Sequence, residues 1–180
     1  LKKQNKLAND TLVVTTMSNI GLHAAAKEYG IDLAITDVGD RYVIEEMKKS
    51  GHNLGGEQSG HMIFLDYNTT GDGTLSSLIV SKIVKEEGKT LSEQSALMTT
   101  YPQVLINVEV RNEVKNKFME NDEIRAEIER LEKLMNGTGR VLIRPSGTQP
   151  LVRVMLEGKD EGQIRELAQG LADLIKEKLA

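Results

Sequence analysis

Residues 11–36 read TLVVTTMSNIGLHAAAKEYGIDLAIT, and this stretch decides the class of the first half of the chain. Thr11 to Thr16 is a short, β-branched run suited to a buried strand. Met17-Ser18-Asn19 makes a turn. From about Ile20 to Tyr29 the residues Leu22, Ala25, Ala26 and Tyr29 recur on one helical face, and Gly30 is the stop. Ile31 to Thr36 is a second strand. Strand, helix and strand with short connections predict an α/β layer.

Working outward, residues 1–10 read as the polar end of a linking helix that closes at Asn9-Asp10. Beyond Thr36, Asp37 to Asp40 is a loop, with Asp40 expected to cap a helix from Arg41 to Ser50 that ends at Gly51. Asn53 to Gly60 is glycine-rich, and His61 to Asp66 resumes a strand. A loop over Asn68–Thr74 hands over to a helix with Leu75, Leu78, Ile79 and Ile83 toward the core, stopping near Gly88. Lys89 to Pro102 reads as a short helix and linker. Tyr101-Pro102 is the domain boundary, because the pattern then changes character. Val104, Ile106, Val108 and Val110 alternate, as on a sheet covered on one side. A helical stretch follows, broken near Asn121-Asp122, with Asp122 as the cap of its second segment and Ile124, Ile128, Leu131, Leu134 and Met135 as its apolar stripe. Two strands flank Arg144–Pro150, and a last helix from about Asp160 carries Ile164, Leu167, Ala168, Leu171, Ile175 and Leu179. The expected architecture is α/β plus α+β. A three-layer-type α/β domain (1–101) precedes a small α+β domain (102–180) with helices on one face of an antiparallel sheet.

Composition narrows the partners. At 180 residues with 39% hydrophobic and 28% charged side chains, the chain can bury a core. A formal net charge of -4 gives no basic footprint for nucleic acid. The 3% aromatic content, with no tryptophan, argues against base- or sugar-stacking floors. With no cysteine, thiolate chemistry, disulfides and Cys-ligated zinc are out, and a reducing compartment fits. No apolar run reaches the roughly 20 residues that span a bilayer.

Two stretches carry chemistry. Arg144-Pro145-Ser146-Gly147-Thr148-Gln149-Pro150 offers a guanidinium fork, two hydroxyls and an approachable backbone between two prolines, a kit for gripping phosphate. A plain hairpin with a solvated Arg144 is the alternative. In Gly55-Gly56-Glu57-Gln58-Ser59-Gly60-His61, Glu57, Ser59 and His61 alternate as if along an extended segment facing one way. A carboxylate and hydroxyl so placed can hold sugar hydroxyls, and a histidine can move protons near neutral pH. The alternative is a glycine turn whose side chains satisfy local backbone groups. Thr70-Gly71-Asp72-Gly73-Thr74 holds one carboxylate where magnesium or calcium sites gather several ligands, so it reads as a turn and helix start. His23 and His52 lack partners at metal-ligand spacing.

Taken in order, Val14–Asn19, Val38–Val43, Gly56–His61 and Arg144–Thr148 resemble the phosphoglucosamine mutases, a family within the α-D-phosphohexomutase superfamily, over essentially the whole chain. The resemblance implies a four-domain enzyme that interconverts glucosamine 6-phosphate and glucosamine 1-phosphate through a phosphoserine and a bisphosphate intermediate, in amino-sugar nucleotide and cell-wall precursor synthesis. It implies that Glu57 and Ser59 contact sugar hydroxyls, that Ser18, Asp40 and Arg41 line the sugar site, and that His61 assists proton transfer. It implies that Arg144, Ser146, Gly147, Thr148 and Arg153 hold the phosphate that does not react. Gln149 stands where the family usually has Glu, a change expected to do little harm to anion binding. The family's Mg2+ would take its ligands outside this chain, with no metal in the chain itself. Neither the family's catalytic-serine motif nor its Asp-rich loop is present, and residue 1 is not methionine. The expectation is therefore a C-terminal, two-domain piece of a cytoplasmic enzyme, inactive alone. Its partners would be glucosamine phosphate and the missing N-terminal domains, without nucleic acid or membrane. A free-standing, non-catalytic sugar-phosphate binding module stays open. A protein-interaction module built on the charged helices explains none of the four stretches.

Overall fold

The computed structural model describes residues 1–179. The chain divides into two compact units, the first Leu1–Thr100 and the second beginning at Tyr101.

In the first unit, strands β1 (Thr11–Thr15), β2 (Asp32–Thr36), β3 (Leu54–Gly56) and β4 (Met62–Phe64) form one sheet in the order β2-β1-β3-β4. Both neighbours of β1 run parallel to it, and β4 returns antiparallel to β3. The central strand explains the β-branched run: Val13, Val14 and Thr15 are all buried, as both faces of a strand inside an α/β layer require. Helix α1 (Ile20–Glu28) connects β1 to β2, and α2 (Asp40–Ser50) connects β2 to β3. One turn apart on α2, Val43 and Met47 pack with Val13 and Ile63 to make the core. Gly55 is what lets α2 approach, since a Cβ there would lie 2.5 Å from Met47 Sδ and 2.7 Å from Val43 Cγ1. Helices α3 (Gly73–Glu87) and α4 (Leu91–Ser95) complete the unit.

Several expectations for this unit fail. Residues 1–10 are not a helix end but two 3-10 turns, Lys2–Gln4 and Ala8–Asp10, with left-handed Asn5, Asn9 and Asp10 where asparagine and aspartate compete for local hydrogen bonds. Asp40 does not cap α2. Gly39 is the N-cap residue and supplies no side-chain bond, while Asp40 Oδ1 accepts from the Arg41 amide within the first turn. The supposed core face of α3 is not buried either: Leu78 is 64% exposed and Ile83 42%. Helical periodicity identifies an apolar stripe, but not which neighbour covers it.

The second unit is a three-stranded antiparallel sheet in the order β5-β7-β6, from β5 (Gln103–Glu109), β6 (Gly139–Pro145) and β7 (Leu151–Gly158). Helices α5 (Asp122–Met135) and α6 (Glu161–Leu179) cover one face. Val104 and Val108 of β5 and Val152, Val154 and Leu156 of β7 meet Ile124, Ile128, Leu131 and Met135 of α5 and Ile164, Ala168, Leu171 and Ile175 of α6. The side chains in alternate register point away from the helices. They include Arg140, Leu142 and Arg144 of β6 and Arg153, Met155 and Glu157 of β7. On that face the fully buried Glu157 carboxylate pairs with Arg140 directly opposite. Here too three details differ. Residues 111–120 form turns and a short 3-10 segment, Phe118–Glu120, instead of a helix. Asn121, not Asp122, caps α5, its side chain accepting from the amides of Glu123 and Ile124. Leu134 lies outside the stripe, 51% exposed.

Candidate functional site

The parallel strands β1, β2 and β3 deliver their C-terminal ends to one edge of the first sheet. In the order β2-β1-β3-β4 the connection after β1 runs to one side and that after β3 to the other, and open α/β sheets bind ligands at such a point. Ser18 follows β1, Asp40 and Arg41 follow β2, and Glu57 follows β3, so the topology gathers residues far apart in the chain. Ser18 is buried in its turn, its amide donating to Thr15 O. Arg41 points elsewhere: it is exposed, pairs with Glu45 at 3.1 Å and lies over the Tyr42 ring.

Glu57, Ser59 and His61 do come together, but not along an extended segment. They sit in the tight turn between β3 and β4, closed by Gly60 N donating to Glu57 O and Glu57 N donating to His61 O. Gly60 turns the chain at φ 96, a conformation that favours glycine. Glu57 Oε1 accepts from the Gly39 amide at 3.0 Å, tying this turn to the loop after β2. Its Oε2 lies 3.6 Å from His61 Nδ1, and Ser59 Oγ lies 3.0 Å from the same nitrogen. Glutamate and serine therefore converge on one ring nitrogen, and Nε2 makes no hydrogen bond among the described residues. A hydrolytic triad needs its carboxylate and nucleophile on opposite nitrogens, so this is not one. It is an oriented carboxylate, 9% exposed, beside an accessible imidazole.

In the second unit, Arg144 and Arg153 are direct cross-strand partners on the face away from the helices. Neither makes an ion pair among the described residues, and the Nε of each is buried without a hydrogen-bond partner. Burial first, and then the charge of Arg153, push the Arg144 guanidinium below its ordinary pKa. Two like charges and two unmet donors in one place are unfavourable unless an anion completes them. The neighbouring loop is built to match. Ser146, buried, accepts the Gln149 amide on Oγ, and its own amide donates to Leu151 O. The exposed amides of Gly147 and Thr148 donate to no backbone carbonyl among the described residues. Exposed Gln149 makes no side-chain hydrogen bond among those described.

The sequence reading missed two groups. The Gly39 amide that orients Glu57 is a backbone donor with no signature of its own. Lys115 lies in the stretch expected to be helical, and its Nζ donates to Ser146 O at 2.8 Å and Gln149 O at 3.3 Å. Among the described residues no group of three or more His, Cys, Asp or Glu side chains could hold a metal ion, and no helix is long and apolar enough to cross a membrane.

Comparison with known proteins adds the following. The family model described as phosphoglucomutase/phosphomannomutase, alpha/beta/alpha domain III, matches residues 1–101, and that family's C-terminal domain matches residues 105–174. A phosphoglucosamine mutase of Clostridioides difficile (strain 630) is 69% identical over 180 residues, all of this chain and 40% of that protein. Another, from Thermoanaerobacter sp. (strain X514), is 62% identical over 99% of this chain and again 40% of its own length. The chain thus spans about 40% of the length of these curated relatives. Among solved structures, Aspergillus fumigatus N-acetylphosphoglucosamine mutase in complex with GlcNAc-6P and magnesium superposes with a TM-score of 0.79 at 22% identity, over 98% of this chain and 40% of that one. At that identity the likeness is one of fold.

Proposed function

Because this chain belongs to the phosphoglucomutase/phosphomannomutase family, we propose that it supplies the sugar and phosphate contacts of a phosphoglucosamine mutase. On this reading residues 1–101 form a sugar-binding unit and residues 102–180 a phosphate-binding unit. The single observation that carries it is the pair Arg144–Arg153, opposed across β6 and β7 with both Nε atoms buried and unmatched, beside the free amides of Gly147 and Thr148. A phosphate with its several acceptor oxygens relieves the repulsion and fills the donors in one step.

Each group then has a defined task. Arg144 and Arg153 neutralise the phosphate that stays in place, and the Gly147 and Thr148 amides and the Ser146 and Thr148 hydroxyls fix its orientation. Glu57, held by Gly39 N–H, accepts from sugar hydroxyls. Ser59 steadies His61 Nδ1, so that Nε2 is the nitrogen available to hold or pass a proton at the sugar. Ser18 and Asp40 border the sugar site, and Arg41 reaches it only by leaving its pair with Glu45. Phosphoryl transfer rests on positioning and electrostatic stabilisation, to which the family's magnesium contributes charge neutralisation. Among the described residues no group of three or more acidic or histidine side chains could hold that ion, and on this proposal its ligands come from the rest of the enzyme. A hexosamine phosphate as substrate and a cytoplasmic setting belong to the same proposal. By itself the 180-residue chain is expected to show no mutase turnover.

Calorimetric titration of the chain with glucosamine 6-phosphate is the test. Weak binding that disappears in Arg144→Ala supports the proposal, and an unchanged isotherm in that variant refutes it. Micromolar affinity, about -8 kcal/mol, would instead favour a free-standing binding module. Mutase turnover by the 180 residues alone would refute the expectation that they are inactive.

A further inference from the structure

The loop from Arg144 to Pro150 is hydrogen-bonded by a residue from outside it. Pro145 and Pro150 restrict its two ends, and the Ser146 hydroxyl ties its middle through the Gln149 amide. Those contacts do not fix how the peptide between Ser146 and Gly147 is turned. That peptide carries two opposite consequences for an anion. One face presents the Ser146 carbonyl oxygen, which repels a phosphate, and the other presents the Gly147 N–H, which binds one.

We infer that Lys115 is a positioning residue of this loop. It holds the Ser146 carbonyl on the far side, so that the Gly147 amide faces the anion. Lys115 Nζ donates to Ser146 O at 2.8 Å and to Gln149 O at 3.3 Å, from a turn 31 residues away in the chain. The described residues hold no cis peptide bond, and in a trans peptide the C=O and N–H point in opposite directions. Fixing the Ser146 oxygen on the ammonium therefore fixes the Gly147 hydrogen on the opposite side. The second bond, to Gln149 O, precedes a proline and aims no amide, so it only anchors the loop's far end. Lys115 is itself half-buried, and its turn is closed by the Val114 and Lys115 amides donating to Arg111 O, which limits the side chain's reach to this place. Without it, the Ser146–Gly147 peptide is free to rotate and offer its oxygen to the incoming anion. Lys115 does not touch the phosphate in this scheme. It acts through the backbone.

The inference rests on the phosphate reading of the loop, and the experiment separates the two. Nitrogen-15 spectra of the 180-residue chain are titrated with inorganic phosphate for wild type, Lys115→Met, Lys115→Arg and Arg144→Met, with amide exchange measured in phosphate-free buffer. Lys115→Met is expected to weaken phosphate binding about tenfold, the scale of losing one charge-assisted hydrogen bond. It should also quench the shift of the Gly147 amide and speed exchange at Gln149 while leaving Val154 in β7 protected. Lys115→Arg, which keeps a charged donor, restores binding and exchange together. If Lys115→Met leaves both the Gly147 response and Gln149 exchange at wild-type values, the inference is overturned. If Arg144→Met removes the response in that same series, the phosphate reading survives that loss. If Arg144→Met instead binds phosphate as wild type does, the phosphate reading fails, and exchange at Gln149 still decides what Lys115 holds. Should Lys115→Met lose protection at Val154, Lys115→Gln repeats the test with a shorter, uncharged donor.

Discussion

Replacing Arg144 with methionine should make the protein more stable and at the same time unable to bind phosphate. Arg144 and Arg153 face each other across β6 and β7 without a counter-charge among the described residues. Direct cross-strand neighbours have Cβ atoms roughly 5 Å apart. At about that spacing, two unit charges repel by about 0.8 kcal/mol at the dielectric of water and about 3 kcal/mol at an effective value near 20. Arg144 is partly exposed, so the lower half of that range applies. To it is added the cost of its buried, unmatched Nε, which methionine removes while keeping the length of the stem. The sign follows from linkage: the native fold lowers the affinity of Arg144 for its proton, so at every pH where the residue is charged the fold is penalised relative to the unfolded chain. Arg144→Met is therefore expected to gain about 1 kcal/mol in phosphate-free, low-salt buffer, measured by urea denaturation. The advantage should shrink in about 1 M sodium chloride, where the screening length falls to roughly 3 Å. Added phosphate should raise the melting temperature of wild type and not of the variant. A variant less stable than wild type in phosphate-free buffer, or one that phosphate still stabilises, refutes the reasoning.

Three other outcomes test the fold around the sites. Gly21→Ala should destabilise the first unit by more than about 3 kcal/mol in denaturant titrations, because a Cβ there would lie 1.8 Å from the Thr99 carbonyl oxygen, which is backbone. Glu157→Gln should cost about 2–4 kcal/mol in urea unfolding, since it leaves Arg140 facing a neutral group on a buried face. Asp72 caps α3 by accepting from the Leu75 amide, and that bond above all lowers its pKa. The stabilisation is present above the ordinary aspartate value of about 4 and is lost as pH falls through the depressed native value. The protection factor of the Leu75 amide, its exchange rate relative to an unstructured amide at the same pH, should fall over that acid range in wild type, whereas in Asp72→Ala it should be low already at pH 7.

Much of the architecture was legible in local pattern. The β-branched run at Thr11–Thr16, the alternation of Val104, Ile106, Val108 and Val110, and the spacing from Ile164 to Leu179 each report one element's own geometry, and all but Thr16 and Val110, one residue past their strands, lie in the elements so predicted. The errors fall where a local rule had two candidate residues or a neighbour was needed. Asn121 and Asp122 are both good caps, and Gly39 displaced Asp40 as the N-cap residue of α2. Leu78 and Ile83 of α3 fit a helical stripe equally well whether or not anything covers it. In the candidate sites, the short-range signals were readable, namely the glycine-rich turn at Glu57–His61 and the loop from Arg144 to Pro150.

The sequence by itself determined most of the elements and their types, the turns at residues 1–10 and 111–120 excepted, and the loops rich in chemistry, because helix and strand periods and glycine turns are properties of consecutive residues. Only the tertiary structure decided what those side chains face. Parallel pairing of β1 with β2 and β3 carries the Gly39 amide to Glu57. The register of β6 on β7 sets Arg144 against Arg153, although eight residues, the loop among them, lie between them in the chain. Lys115, in a stretch that looked like an ordinary charged helix, reaches the loop carbonyls only once β5 and β6 have been laid on either side of β7. Charge repulsion, unmatched donors and carbonyl direction all depend on distances between segments, and those distances do not exist until the sheets are closed.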